Sequence, residues 1–240
     1  MVPSELEAVR LLPAIRAAGE AAEPLVCGVG LLAAGLATAE RLGGQARTDS
    51  ERVEQVLLLG LAGTRDPRAA PPGALVVGTA VRNEAFGAGH GPGFLGLTEM
   101  GLRSERLPPE VLPLAEPEGL TGADRAPALV RGVFGSVAAA SGSPAEAQGW
   151  RERHPDVLAE DMETWAVALA CARAGVPLSC VRAISNEAGD RNVATWHLEP
   201  AFAALLAVLP APGPSVELDP TQLLHTITGI EPTLFEPASR

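Results

Sequence analysis

Cysteine is scarce: only Cys27, Cys171 and Cys180 occur in 240 residues, an odd number without paired spacing. Each lies in an apolar segment, which predicts reduced core thiols in a reducing compartment and argues against a disulfide scaffold. The four histidines (His90, His154, His197, His225) lack metal-ligand spacing and have no cysteine near them in sequence, so no metal is expected. A cationic leader with an apolar core is missing from the first residues, and no uncharged apolar run reaches about 18 residues. The expectation is a cytoplasmic protein without a membrane partner. Basic residues are in deficit, 18 Lys+Arg against 29 Asp+Glu, for a formal charge of −11. That balance disfavours nucleic-acid phosphate or an anionic membrane as the main partner. A pocket need not follow the net charge, so an anionic small molecule stays open. No internal repeat is apparent.

What is abundant is apolar surface. Hydrophobic residues make up 47% of the chain, enough for a large core, and the length suits one α/β domain or at most two small ones. Val2 is extended before Pro3, Ser4 is a candidate N-cap, and Glu5 to Ala18 reads as a helix kinked at Pro13. Leu25 to Cys27 reads as a short strand, Gly28-Val29-Gly30 as a turn, and the Ala/Leu-rich segment after it as a helix. Gly-x-Gly without a third glycine is a weak dinucleotide signal; close strand–helix packing explains it as well. Val56 to Leu59 is a strand ending in Gly60-Leu61-Ala62-Gly63, where small residues let backbone approach a ligand. Ala74 to Thr79 and Arg131 to Ala140 read as further strands. His90 to Gly93 reads as a glycine-rich loop, and Ser141 to Pro144 caps a helix through Trp150.

The most informative stretch is Val157 to Trp196. Leu158, Met162, Trp165, Val167, Leu169 and Ala170 carry helical spacing, with Gly175 at a left-handed cap position and Pro177 beyond it. Leu178 to Ile184 then reads as a buried strand. Asp161-Met162-Glu163 at the helix start and Ser185-Asn186 at the strand end would meet where open α/β sheets hold ligands. Pro200 to Leu209 reads as a last helix. Strands alternating with Ala-rich helices predict a single three-layer α/β domain over 1–209, a central mixed sheet flanked by helices. The tail, 210–240, has no readable role.

Val2-Pro3-Ser4-Glu5, Gly28-Val29-Gly30, Gly60-Leu61-Ala62-Gly63, Asp161-Met162-Glu163 and the run Arg182 to Arg191 with Trp196 beyond resemble the nucleoside phosphorylase/nucleosidase family over residues 2–209. The resemblance implies cleavage of a purine N-ribosidic bond, a nucleoside as small-molecule partner, no cofactor and a homo-oligomer. By the match, Glu5 activates water, with Glu7 as the fallback if the start is misaligned by two. Glu163 accepts from ribose hydroxyls and Met162 packs on the sugar. Gly63, Arg182, Ser185 and Trp196 line or position the substrate. Asn186 stands where relatives acting on adenine nucleosides carry Asp; an amide can donate to a 6-oxopurine, which favours hypoxanthine. Leu61 replaces a Ser or Thr of many relatives. Plainer readings stand beside these: Glu5 and Glu163 as first-turn acids, Asn186 as a turn cap, Asp190 as a solvated turn residue, Trp196 as core. Phosphorolysis through Arg65, or a catalytically silent binder, are the alternatives to hydrolysis.

Overall fold

Val56–Thr64 (β1) is apolar on both faces because both are covered: Leu58 and Ala62 join one core cluster and Leu59 another. The computed structural model describes residues 1–17, 23–43, 52–89, 93–102, 107–117, 120 and 128–209. In it, β1 joins Leu75–Asn83 (β2), Val111–Pro113 (β5), Leu129–Ser136 (β6), Val157–Asp161 (β7) and Leu178–Glu187 (β8). The six strands run in the order β5-β2-β6-β7-β1-β8, with parallel β1–β8, β2–β6 and β6–β7 and antiparallel β1–β7 and β2–β5. Gly87–Ala88 (β3) and Leu95–Gly96 (β4) pair separately. The sheet is mixed, as expected. It also curls: β2 pairs antiparallel with β8 through Leu75–Ala183, Val76–Arg182 and Val77–Val181, so the sheet closes on itself.

Helices Glu5–Ala17 (α1) and Leu198–Val208 (α5) cover one face through Leu11, Leu12, Phe202 and Leu205 against Leu59 and Val181. Leu31–Gly43 (α2) and Thr164–Ala174 (α4) cover the other, through Leu31, Ala34, Trp165 and Val167 against Leu58, Cys180 and Ile184. Pro144–Arg153 (α3) starts at the N-cap Ser143, whose side chain accepts from Glu146 N. The three cysteines are free and buried, and burial pushes the Cys27 and Cys180 thiols up to about 11 and Cys171 to about 12. Among the described residues no helix is long and apolar enough to cross a membrane.

The central stretch corrects one expectation. Val157–Asp161 is a strand, and the helix begins only at Thr164. Leu158 and Met162 do fall at helical spacing with Trp165, but Val157–Asp161 holds only three apolar residues, too few to fix a period. The ladders to β6 and β1 decide for strand. Gly175 closes α4 in the left-handed conformation (φ 68°), as read. Leu25 to Cys27 makes only an isolated bridge, Val26 with Val2. Met1 and Val2 lie between it and the N-terminal half of β1: Met1 N donates to Leu57 O at 2.7 Å, and Leu59 N to Met1 O at 2.9 Å. Strand Ala74 to Thr79 runs on to Asn83, and Arg131 to Ala140 stops at Ser136. His90, His225 and the 210–240 tail lie outside the described residues.

Candidate active site

The site begins with an irregularity in β8. Along the β1–β8 ladder Ala62 faces Ile184, but Gly63 faces Asn186, so Ser185 is an extra residue. A bulge of this kind re-aims the side chain beyond it. Ser185 Oγ donates to Asn186 Oδ1 at 2.7 Å, and Asn186 Nδ2 donates to the Glu187 carbonyl at 2.8 Å. These bonds fix the amide and leave its second N–H for a ligand.

The N-terminal carboxylate is set by a capping box. Glu7 N donates to Ser4 Oγ at 3.3 Å, while Ser4 N and Oγ donate to Glu7 Oε2 at 2.9 and 2.7 Å. Leu61 N donates to Glu7 Oε1 at 2.9 Å. Three of about four acceptor positions on the carboxylate are filled, and the remaining one is on Oε1. Glu7 is buried and lines the cleft, whereas Glu5 is exposed and does not. This corrects the assignment of Glu5: the first turn of α1 points position 5 outward, and the fallback residue takes its place.

Glu163 enters from the start of α4. Its Oε1 accepts from Gly30 N at 2.9 Å and its Oε2 from Arg182 Nη2 at 3.1 Å. So the Gly28-Val29-Gly30 turn offers its N–H to a protein carboxylate. Burial raises the Glu163 pKa; Arg182 opposes this, Asp161 and Glu7 add to it, and the Gly30 N–H counters. Asp161 is a structural acid: it accepts from Ser136 Oγ, from Glu163 N and Thr164 N at 3.3 Å each, and from Thr164 Oγ1. It also pairs with Arg182 Nη2 at 2.9 Å.

Arg182 is fully buried and absent from the cleft lining, so it does not line the substrate, and of the two expected roles only positioning fits its place. Its side chain lies beneath the floor, where Asp161 and Glu163 hold it and further raise its pKa against the opposing effect of burial. It acts through Glu163. Gly60 is explained the same way: a Cβ there would stand 2.3 Å from Arg182 Nη1 and 2.5 Å from Glu7 Oε1. The close approach that this glycine permits is to protein side chains.

A second buried ion cluster lies behind the cleft. Arg65 Nη1 is 2.7 Å from Glu84 Oε2, and its Nε and Nη2 donate to Glu160 Oε2 at 3.1 and 3.0 Å. Glu84 has that ion pair in place of a well-aligned hydrogen bond. Ser141 donates to Glu160 through N (2.9 Å) and Oγ (2.7 Å), tying down the loop that brings Val137 and Ala140 to the cleft. Arg65, also stacked over Trp150 at 5.1 Å, is thereby committed to the protein and closed to a phosphate ligand.

The cleft, about 230 Å³, thus gathers Gly63, Met162, Glu163, Ser185, Asn186 and Trp196 of the expected residues. It adds Glu7, Leu61, Glu160, Val29 and Arg191. Asp190 stays outside, its carboxylate accepting from Asn192 N at 2.9 Å and Thr195 Oγ1 at 2.6 Å. Among the described residues no cluster of three or more His, Cys, Asp and Glu is placed to hold a metal ion.

Comparison with known proteins bears on this geometry. A family model described as the phosphorylase superfamily matches residues 23–207. The futalosine hydrolase of Streptomyces coelicolor is 39% identical over 182 residues, 75% of this chain and 74% of that protein. Solved structures that share the fold include the following two. A 5′-methylthioadenosine/S-adenosylhomocysteine nucleosidase from Colwellia psychrerythraea, in complex with adenine, aligns with TM-score 0.59 at 24% identity over 76% of this chain and 75% of that one. The futalosine hydrolase of Helicobacter pylori aligns with TM-score 0.57 at 18% identity, over 76% and 73%.

Proposed function

The chain belongs to the phosphorylase superfamily, and on that footing we propose that it hydrolyses the N-ribosidic bond of futalosine to hypoxanthine and dehypoxanthine futalosine, in menaquinone biosynthesis. The observation that carries this reading is one cleft lined by Glu7, Glu163 and Asn186, in a chain 39% identical to a futalosine hydrolase. Cleavage leaves an oxocarbenium-like sugar and an electron-rich purine. Glu163 has lone pairs left for the ribose hydroxyls. Glu7 Oε1 accepts a proton from the attacking water, whose oxygen bonds to the anomeric carbon as the carbon–nitrogen bond breaks. The free N–H of Asn186 donates to the departing base, and the water-derived proton ends on the purine. Phosphorolysis is disfavoured because Arg65 is sequestered by Glu84 and Glu160. We place the enzyme in the cytoplasm as a homo-oligomer over residues 1–209; reduced buried thiols and the family resemblance support this.

The deciding assay is hypoxanthine release from futalosine with and without phosphate. Release independent of phosphate is expected; strict phosphate dependence would make it a phosphorylase, and no release a silent binder. Asn186→Asp is expected to shift preference from 6-oxo to 6-amino purine nucleosides by about ten- to a hundredfold in the ratio of kcat/KM, because a carboxylate cannot donate to O6. An unchanged ratio for inosine-type against adenosine-type substrates removes Asn186 from base reading.

The pH profile tests Glu163. Burial raises its pKa, so the ionised form that accepts ribose hydroxyls is lost on acidification sooner than for an ordinary glutamate. The acid limb of kcat/KM is expected above the usual carboxylate range and displaced in Glu163→Gln. An acid limb unmoved by that substitution assigns the titration elsewhere.

A further inference from the structure

Glu160 borders the cleft, yet the chemistry above gives it no part. Four protein donors converge on its carboxylate. Ser141 N donates to Oε1 at 2.9 Å, while Ser141 Oγ (2.7 Å) and Arg65 Nε and Nη2 (3.1 and 3.0 Å) donate to Oε2. That is as many as a carboxylate ordinarily takes, whereas Glu7 accepts three and Glu163 two. What Glu160 holds is a segment with little means of holding itself. Residues 137–141 read Val-Ala-Ala-Ala-Ser between β6 and α3, with Ala138 and Ala139 exposed and Ala140 half-buried. Alanines bury little surface and offer no side-chain hydrogen bond. The segment is an arch pinned at both feet to consecutive residues of β7. Val137 N donates to the Asp161 carbonyl at 2.9 Å, and Ser141, fully buried, is bound to Glu160. Val137 and Ala140 line the cleft. Just beyond the arch, the Ser143 backbone lies against Gly189 of the loop that follows Asn186; a Cβ on Gly189, whose φ is 86°, would collide with Ser143 C and O. The arch is thus held from β7 and backed by the chain that leads away from Asn186.

We infer that Glu160 is a positioning residue, which through Ser141 fixes the 137–141 arch relative to Asn186 and so seats the purine. The inference rests on the nucleosidase reading, in which Asn186 donates to the base. A hydrogen bond weakens steeply as its angle and length depart from the optimum, so a wall that gives way lets the base drift from the amide. Arg65 acts one step further back, as the counter-ion of Glu160. The two buried ion clusters then divide the ligand between them. Asp161, Arg182 and Glu163 set the sugar end; Glu84, Arg65 and Glu160 set the base end.

Calorimetric titration with hypoxanthine and with adenine tests this, because Kd reports on the site while stoichiometry reports the folded fraction. The wild-type protein is expected to bind hypoxanthine more tightly than adenine. Ser141→Ala removes one donor to Glu160 and is expected to weaken hypoxanthine about tenfold at unchanged stoichiometry, with the preference over adenine narrowed. Glu160→Gln turns an NH2 group toward the same donors and is expected to lose more; if it fails to fold, Ser141→Ala decides. Gly142→Ala is the control. Its Cβ meets only Glu146 Oε2, at 3.5 Å, and wild-type affinity is expected. Wild-type affinity in Ser141→Ala, including reduced stoichiometry at an unchanged Kd, makes the contact purely structural and overturns the inference. An equal loss in Gly142→Ala overturns it too, since any disturbance of the segment would then suffice. A loss shared alike by both purines overturns the link to Asn186. A wild-type protein that binds neither purine, or favours adenine, overturns the functional reading and the inference with it. One that favours hypoxanthine, with Ser141→Ala unchanged, overturns the inference alone.

Discussion

Glu7→Gln is expected to lower kcat by about two to three orders of magnitude, while Glu5→Gln keeps turnover within about twofold of wild type. The pair separates two acids that sit two places apart in the chain. Glu7 is buried, accepts from Ser4 and Leu61, and has one acceptor position left on Oε1. Glutamine keeps the size but turns an NH2 group toward backbone N–H donors or toward the water. The first fault loosens the capping box, at about 0.5–2 kcal/mol; the second removes the base. Melting curves beside single-turnover rates distinguish them, because a capping defect alone lowers the melting temperature without a hundredfold loss of rate. Wild-type turnover in Glu7→Gln, with loss in Glu5→Gln, would restore the other alignment of the N-terminus and overturn the placement described above.

Arg65→Met is expected to destabilise the fold by about 3–5 kcal/mol, on the order of 10 °C in Tm. It leaves Glu84 and Glu160 buried without their cation. His154 offers no compensation, although its Nε2 is 4.0 Å from Glu84 Oε1: burial, then Arg82 and Arg153, push its pKa down to about 4. Glu84 already has a pKa raised by burial, with Arg65 as the main opposing influence. Removing Arg65 raises it further, so the folded variant takes up a proton more readily than its unfolded chain. The stability of the variant therefore falls as pH rises through the unfolded carboxylate range toward the folded value, and recovers on acidification. Thermal melts of both proteins across pH check the sign: the gap should be widest near neutrality and narrow toward acid. A gap independent of pH would mean that the loss is one of packing against Trp150.

Much of the site was legible because its residues are neighbours in sequence. Met162-Glu163 and Ser185-Asn186 flank one helix and one strand, so local pattern alone brings them to the same end of the sheet. Glu7 is legible too, through Ser4-x-x-Glu7, the spacing of a capping box, although the family resemblance points to Glu5 first. Arg182 shows what local pattern withholds. A motif position does not tell whether a guanidinium faces a ligand or lies beneath it, and that depends on Asp161 and Glu163 meeting it from another element. The Arg65–Glu84–Glu160 cluster spans 95 residues between Arg65 and Glu160, so no window of sequence contains it. Strand β7 offers only Val157, Leu158 and Ala159 as apolar residues, too few to set a period, so the partners on either side choose.

The extra residue at Ser185 has a consequence for how such a pocket diversifies. Up to Ile184, β8 is locked into the ladder and both cores, and few exchanges there would be tolerated. Beyond the bulge, Asn186 pairs with Gly63 in a register shifted by one residue, and its amide is held by Ser185 Oγ and the Glu187 carbonyl. If Asn186 reads the base, as proposed, choice of purine and integrity of the scaffold are subject to separate selection, and a single codon change at 186 is expected to alter the base accepted while leaving the packing of the sheet untouched.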